Sequence, residues 1–159
     1  MDITNGKGLG ISLFVQGCHF HCKNCFNSST WDFDGGKEWT KDKKQEFLEL
    51  AKNPRIKRIS LLGGEPLAEE NLVDVLDLVN EIRLSFPEKN IWLYSGFTWF
   101  EALSNDLRHK IIEQCDVMVD GRFVDELKDL SLAYRGSSNQ RVIDVQESLK
   151  QNKIILYCD

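Results

Sequence analysis

No stretch of this sequence approaches the roughly 20 consecutive apolar residues of a membrane-spanning helix, which excludes a helical anchor of that kind. The opening residues, MDITNGKGLG, lack the basic and apolar regions of a secretory signal. Both absences lead us to expect a cytoplasmic protein, in a compartment where disulfides are disfavoured. Positive charge is not in excess either. Lys and Arg number 20 against 25 Asp and Glu, and the net charge of −5 argues against a broad nucleic-acid footprint. No linker, low-complexity tract or internal repeat interrupts the chain, so residues 1–159 are expected to form one domain. What is present, 42% hydrophobic and 28% charged residues, is the composition of an ordinary globular protein.

Cysteine is sparse and unevenly placed. Of five in all, three lie within GCHFHCKNCFN, residues 17 to 27, where Cys18, Cys22 and Cys25 form C-x3-C-x2-C. Cys115 and Cys158 stand alone. Clustered cysteines in a reducing compartment bind metal or react more often than they staple a fold.

Short apolar runs alternate with longer helical patterns. ISLFVQ (11–16), KRISLL (57–62), IWLYS (91–95) and DVMVD (116–120) read as strands, and each runs into a segment rich in glycine. Helices are predicted over 40–53, closed by Pro54, and from Leu72 to Pro87; Thr98 and Glu101 have capping-box spacing for a third. The stretch 135–140 reads as a polar loop and KIILY (153–157) as a possible final strand. This alternation implies an α/β fold with a mostly parallel sheet and right-handed crossovers. A full eightfold (β/α) barrel takes roughly 250 residues, so an incomplete, open barrel is expected. Ligands in such folds gather beyond the carboxyl ends of the strands, where the cysteine loop, GGE, SGF and DGR all fall.

What could three close thiolates hold? Structural zinc takes four protein ligands, usually from two separated pairs, and the second pair is missing. His19 or His21 could complete a Cys3His site, but only by straining a short loop. A non-catalytic zinc module therefore stays as the alternative. A [4Fe–4S] cubane normally takes four cysteines; three leave one iron open, as a catalytic metal site requires.

With Gly63-Gly64-Glu65-Pro66 following the next strand, the C-x3-C-x2-C motif resembles the radical S-adenosylmethionine enzymes. The segments LLGGEPL, KNIWLYSGFTW, DVMVDGRF and RGSSNQRVIDVQ narrow the resemblance to the family that activates anaerobic ribonucleotide reductases. Two departures from the family pattern are a non-aromatic residue, Asn24, between the last two cysteines and a late start, without the short leading segment expected from the resemblance. The resemblance implies a [4Fe–4S] cluster on Cys18, Cys22 and Cys25, with S-adenosylmethionine chelating the open iron. One electron would cleave the sulfonium, and the 5′-deoxyadenosyl radical would take a hydrogen atom from a glycine of the large catalytic reductase subunit. An electron donor such as a flavodoxin is implied as a second partner. Activation of another glycyl-radical enzyme, of the pyruvate formate-lyase type, is the neighbouring alternative.

The same resemblance implies the ligand contacts. Asn24 and Phe26 would lie on the adenine side, although Phe26 also reads as core. Gly63 and Gly64 would let backbone approach the ligand's amino group with no Cβ in the way. Glu65 either caps the next segment or accepts from the ligand's amino or ribose groups. Asp120 and Arg122, in a D-x-basic arrangement, would lie at the methionine end, with Arg122 gripping the carboxylate. His19 and His21 read as loop residues, Cys115 as core, Cys158 as exposed or in contact with a partner, and 135–140 as a structural loop or docking surface.

Overall fold

The computed structural model describes residues 1–158. The chain runs β1 (Gly10–Val15), α1 (Lys41–Ala51), β2 (Arg58–Gly63), α2 (Leu72–Ser85), β3 (Asn90–Tyr94), α3 (Trp99–Leu103), α4 (Asp106–Glu113), β4 (Val117–Asp120), β5 (Arg141–Asp144) and α5 (Val145–Gln151). Local chemistry sets the helix starts. Thr40 accepts from the Lys43 amide to cap α1, and Thr98 and Glu101 form the reciprocal capping box that begins α3. Asn105 and Asp144 cap α4 and α5 in the same way.

The strands form one sheet in the order β1-β2-β3-β4-β5. The first three pairings are parallel and the last, β4 with β5, is antiparallel. The sheet is open, with β1 and β5 at its edges. Strand alternation divides the core in two. Ile59, Leu61, Ile91, Leu93, Met118 and Ile143 face the helices, whereas Trp92, Val117, Val119 and Val142 face the opposite side. Burial on both faces is why these strands read as nearly continuous apolar runs. No helix among the described residues is long and apolar enough to cross a membrane.

One expectation at the C-terminal end changes. The fifth strand is Arg141–Asp144, directly after the polar loop, not KIILY. The tail makes a single bridge, Ile143 with Leu156, and two flanking backbone bonds, Asp144 N–H to Ile155 and Tyr157 N–H to Val142. It therefore lies along the edge of β5 without forming a strand. A four-residue strand flanked by Arg and Asp carries too little apolar periodicity to be read without its partner.

The sheet face away from the helices is covered by the two ends of the chain. Arg58 on β2 is fully buried there, its guanidinium donating to Asp2 Oδ1 (2.7 Å), to the Asp2 carbonyl (3.0 Å) and to Ser60 Oγ (2.5 Å). Partial burial raises the Asp2 carboxyl, but hydrogen bonds from Ser12 and Arg58 outweigh it and hold the group below the usual carboxylate range. Tyr157 packs edge-on against Trp92 at 5.3 Å, and Tyr134 does so at 5.0 Å. Removing one partner of a buried pair strands the other charge. Asp2→Ala is therefore expected to lower unfolding free energy by about 3 kcal/mol, whereas exchanging the half-exposed surface Lys43 for Ala should change it by less than about 0.5 kcal/mol. Urea denaturation of the two variants checks this.

Candidate metal centre

β1 ends at Val15, and Gly17, two residues on, leads directly into the cysteines. Gly17 has φ +100, and a Cβ there would enter the Phe33 ring at 2.0 Å, so this turn excludes any side chain. Loop residues 17–31 are closed by backbone bonds: Gly17 N–H to Thr30 (2.8 Å), Cys18 N–H to Trp31 (3.1 Å) and Cys25 N–H to Cys22 (3.1 Å). All three thiols are free and partly buried. Burial pushes the Cys18 thiol up, against the backbone N–H groups of Phe20 and His21 that favour its thiolate. Cys22 is also pushed up by burial, then by its neighbours Cys25 and Cys18, with Arg122 opposing. The Asn27 N–H lies 3.4 Å from the Cys25 sulfur. Three thiols therefore share one loop, each close enough to feel the others, with amide donors ready for thiolates.

Both histidines are committed elsewhere. His19 Nε2 lies 2.7 Å from Glu70, and the His21 ring stacks on Trp31 at 4.4 Å and 5°. Among the described residues, no three His, Cys, Asp or Glu side chains close around a single ion. With both rings so engaged, neither histidine is aimed at the three thiols as a fourth ligand. Three thiolates spread along a loop match a polynuclear cluster, in which each sulfur takes a different iron.

The turn after β2 is bonded directly to this loop. Gly64 N–H donates to Val15 and Glu65 N–H to Gly17, both at 2.8 Å. A Cβ on Gly64 would stand 2.6 Å from the Gly17 carbonyl oxygen, and Gly63 has φ +103, which explains glycine at both positions. Asn71 adds a clamp that the sequence did not signal: its Nδ2 donates to the Gln16 carbonyl (3.1 Å) and the Glu65 carbonyl (3.0 Å), one amide holding both loops.

Glu65 itself is only 3% exposed and turns inward. Its oxygens accept from Gly96 N–H (2.6 Å), Ser95 Oγ (2.8 Å) and Leu67 N–H (2.9 Å), fixing the end of β3 to the turn after β2. Burial raises its pKa to about 7, while those three donors pull the other way. Asp120, at the end of β4, is similarly occupied. It accepts from Trp99 N–H at the start of α3 (2.8 Å) and pairs with Arg141 through two bonds, Nε at 3.0 Å and NH2 at 2.6 Å. Both carboxylates hold protein groups in place.

Arg122 is exposed and lies 4.3 Å above the Phe20 ring, on the side of Cys22. Phe20 also caps Gly96, where a Cβ would meet its ring at 2.6 Å. A cleft of about 380 Å³ opens here at the carboxyl ends of β3 and β4, lined by Gly96, Thr98, Glu101, Asp120, Arg122 and Arg141. Phe26 is 57% exposed, which removes the core reading; it packs on Phe123 at 5.0 Å. Asn24 takes a left-handed conformation (φ 56), which asparagine tolerates, and donates to Asp125 Oδ2 at 2.9 Å. The 135–140 loop is structural in part. The Gln140 side chain receives the Gly136 and Ser137 amides and donates to the Gly121 carbonyl, and Asn139 donates to the Arg122 carbonyl. Cys115 is fully buried, its thiol pushed up to about 12; Cys158 lies half-buried against the Trp92 cluster.

These features, a three-thiol loop welded to a glycine turn at the open end of an α/β sheet, define an iron–sulfur protein. Residues 4–143 match the family described as a 4Fe-4S single cluster domain. The anaerobic ribonucleoside-triphosphate reductase-activating protein of Escherichia coli K12 is 43% identical over 144 residues, covering 89% of this chain and 92% of that protein. Its namesake in Vibrio cholerae is 40% identical over 142 residues (88% and 90%), and that of Enterobacteria phage T4 is 35% identical over 141 (89% and 87%). This chain belongs to the family of anaerobic ribonucleoside-triphosphate reductase-activating proteins. No solved structure matches it.

A raised carboxyl has a defined linkage sign. The folded state of Glu65 binds its proton more tightly than the unfolded chain, so its contribution is complete below the unfolded pKa and is lost as pH rises through about 7. Thermal melts of cluster-free protein between pH 5 and 8 are expected to converge with, or fall below, those of Glu65→Gln as pH increases. The differential is bounded at about 3 kcal/mol. A constant gap across this range would contradict it.

Proposed function

We propose that this chain is the activating enzyme of an anaerobic ribonucleotide reductase, generating a glycyl radical on that enzyme's large catalytic subunit. One conjunction carries the reading: three free thiols on one loop, bonded to a glycine turn, in a chain 43% identical to a protein named as such an activator. When bound, a reduced [4Fe–4S] cluster with S-adenosylmethionine at its open iron supplies the electron that releases the 5′-deoxyadenosyl radical for hydrogen abstraction from glycine. The chain supplies orientation and electrostatics.

Cys18, Cys22 and Cys25 would hold three irons as thiolates, with the loop amides donating to sulfur. Gly63 and Gly64 would present backbone to the ligand's amino group. Arg122 would take its carboxylate, since its guanidinium projects beside the cysteine loop over Phe20. Asn24 and exposed Phe26 would border the adenine. Glu65 and Asp120 support this site from behind, Glu65 by fixing Gly96 and Leu67, Asp120 by fixing Trp99 and Arg141. The cleft of about 380 Å³ lies within the size range of small-ligand sites. We read the five-stranded sheet as the open part of a radical S-adenosylmethionine (β/α) barrel, residues 1–159 as one domain, and its open side as access for a protein substrate. A cytoplasmic location and a flavodoxin-type electron donor complete the reading.

The test is anaerobic incubation of reconstituted protein with the reductase, S-adenosylmethionine and a reductant, read by electron paramagnetic resonance for a glycyl radical. Each of Cys18→Ala, Cys22→Ala and Cys25→Ala is expected to lose the radical and most bound iron, whereas Cys115→Ala and Cys158→Ala keep their iron. Arg122→Ala should retain iron but bind S-adenosylmethionine at least about tenfold more weakly; unchanged affinity by titration would refute that role.

A further inference from the structure

We propose that the free edge of β1 and the cleft beside it receive an extended segment of the reductase, a proposal that rests on the function given above. Gly10 exchanges both backbone bonds with Asp2, each at 2.9 Å. The even-numbered residues of β1 therefore turn their backbone groups away from β2. At the far end, Gly17 is closed by Thr30. Between these two closures, Ser12 and Phe14 have no outer backbone partner among the described residues. Such a row of outward backbone groups is a template for pairing with another extended backbone. Edges not meant for pairing usually carry Lys, Pro or a bulge. β1, GISLFV, carries no Lys or Pro, and Phe14 is 45% exposed on it.

The cleft gives this edge an apolar floor. About 760 Å³ in volume, it runs beside β1 below α1 and the 33–39 loop, walled by Phe14, Phe33, Trp39 and Leu50. Leu50, on α1, is 61% exposed. Acidic side chains predominate around it: Asp34, Glu38, Glu46 and Asp74 against Lys37 and Lys43, of which Lys43 is already paired with Glu46 at 3.2 Å. The occupant that fits is an extended apolar segment carrying basic side chains. The cleft also borders the metal centre through one wall residue, because Phe33 packs beside Gly17 and lies 4.6 Å from the His19 ring. A segment paired along β1 is led towards Cys18, where the reductase must present its glycine.

Two variants test the surface without touching the metal centre. Phe14→Pro removes one outward N–H, a change that edge strands tolerate. Leu50→Arg places positive charge where basic side chains would dock. Affinity of the anaerobically reconstituted protein for the intact reductase is measured by biolayer interferometry. Iron content and reductase-independent cleavage of S-adenosylmethionine under dithionite serve as controls. Each variant is expected to weaken reductase binding at least about tenfold with both controls unchanged. Should Phe14→Pro lose its fold by circular dichroism, Leu50→Arg decides alone. Parent-like affinity in the folded variants overturns the proposal while leaving the activating function standing. A shift from dimer to monomer with parent-like affinity assigns the edge to a second copy of this chain, and overturns it too. Loss of iron or cleavage in the parent protein instead counts against the activating function itself.

Discussion

The carboxyl end of the sheet depends on how Glu65 is held. Its side chain takes two amides and a hydroxyl from the turns after β2 and β3, while its own N–H donates to Gly17 at the root of the cysteine loop. Burying a carboxylate is costly unless its oxygens are satisfied, and here three donors offset part of that cost. The consequence is that three successive β-strand ends move as one body. Asn71 reinforces the same junction from the helix side by bonding the Gln16 and Glu65 carbonyls together. A metal centre placed on so short a loop needs this support, because within residues 18–25 the thiols are held only by the Cys25-to-Cys22 turn and the Phe20 and His21 amides at Cys18.

The site is completed from the other half of the sheet by a second buried carboxylate. Asp120 joins the start of α3 to β5 through Trp99 and Arg141, and Gln140 and Asn139 bind the Gly121 and Arg122 carbonyls. Together these contacts set where Arg122 projects and shape the cleft next to it. They also explain why β5 is antiparallel. The chain leaves β4 through a long excursion that folds back across the cysteine loop, through Phe123 on Phe26 and Asp125 on Asn24, before returning beside β4.

Much of this was legible in the sequence because it obeys local rules. Four strands announced themselves by apolar runs leading into glycine, the capping box at Thr98 and Glu101 marked a helix start, and the cysteine spacing pointed to an iron–sulfur protein, as the family match bears out. The GGE segment was read as glycine for the approach of a ligand; what the structure shows at Gly64 is a 2.6 Å clearance to the chain's own Gly17 carbonyl, a close approach of two loops. What escaped is non-local. Asp120 and Glu65 look alike as acidic residues at strand ends, and nothing in the chain reveals that their oxygens are taken by groups 21 and 30 residues away. Asn71, Arg141 and Phe20 carry no motif at all. β5 was missed for the same reason, since its identity comes from its partner and not from its own four residues.

The central claim is that the three-cysteine loop holds a cluster with an iron open to S-adenosylmethionine. Electron paramagnetic resonance of anaerobically reconstituted, dithionite-reduced protein, with and without S-adenosylmethionine, tests it most directly. A reduced [4Fe–4S] signal whose shape changes on adding the ligand is the predicted result. Stoichiometric zinc with no cluster signal after reconstitution would contradict the account.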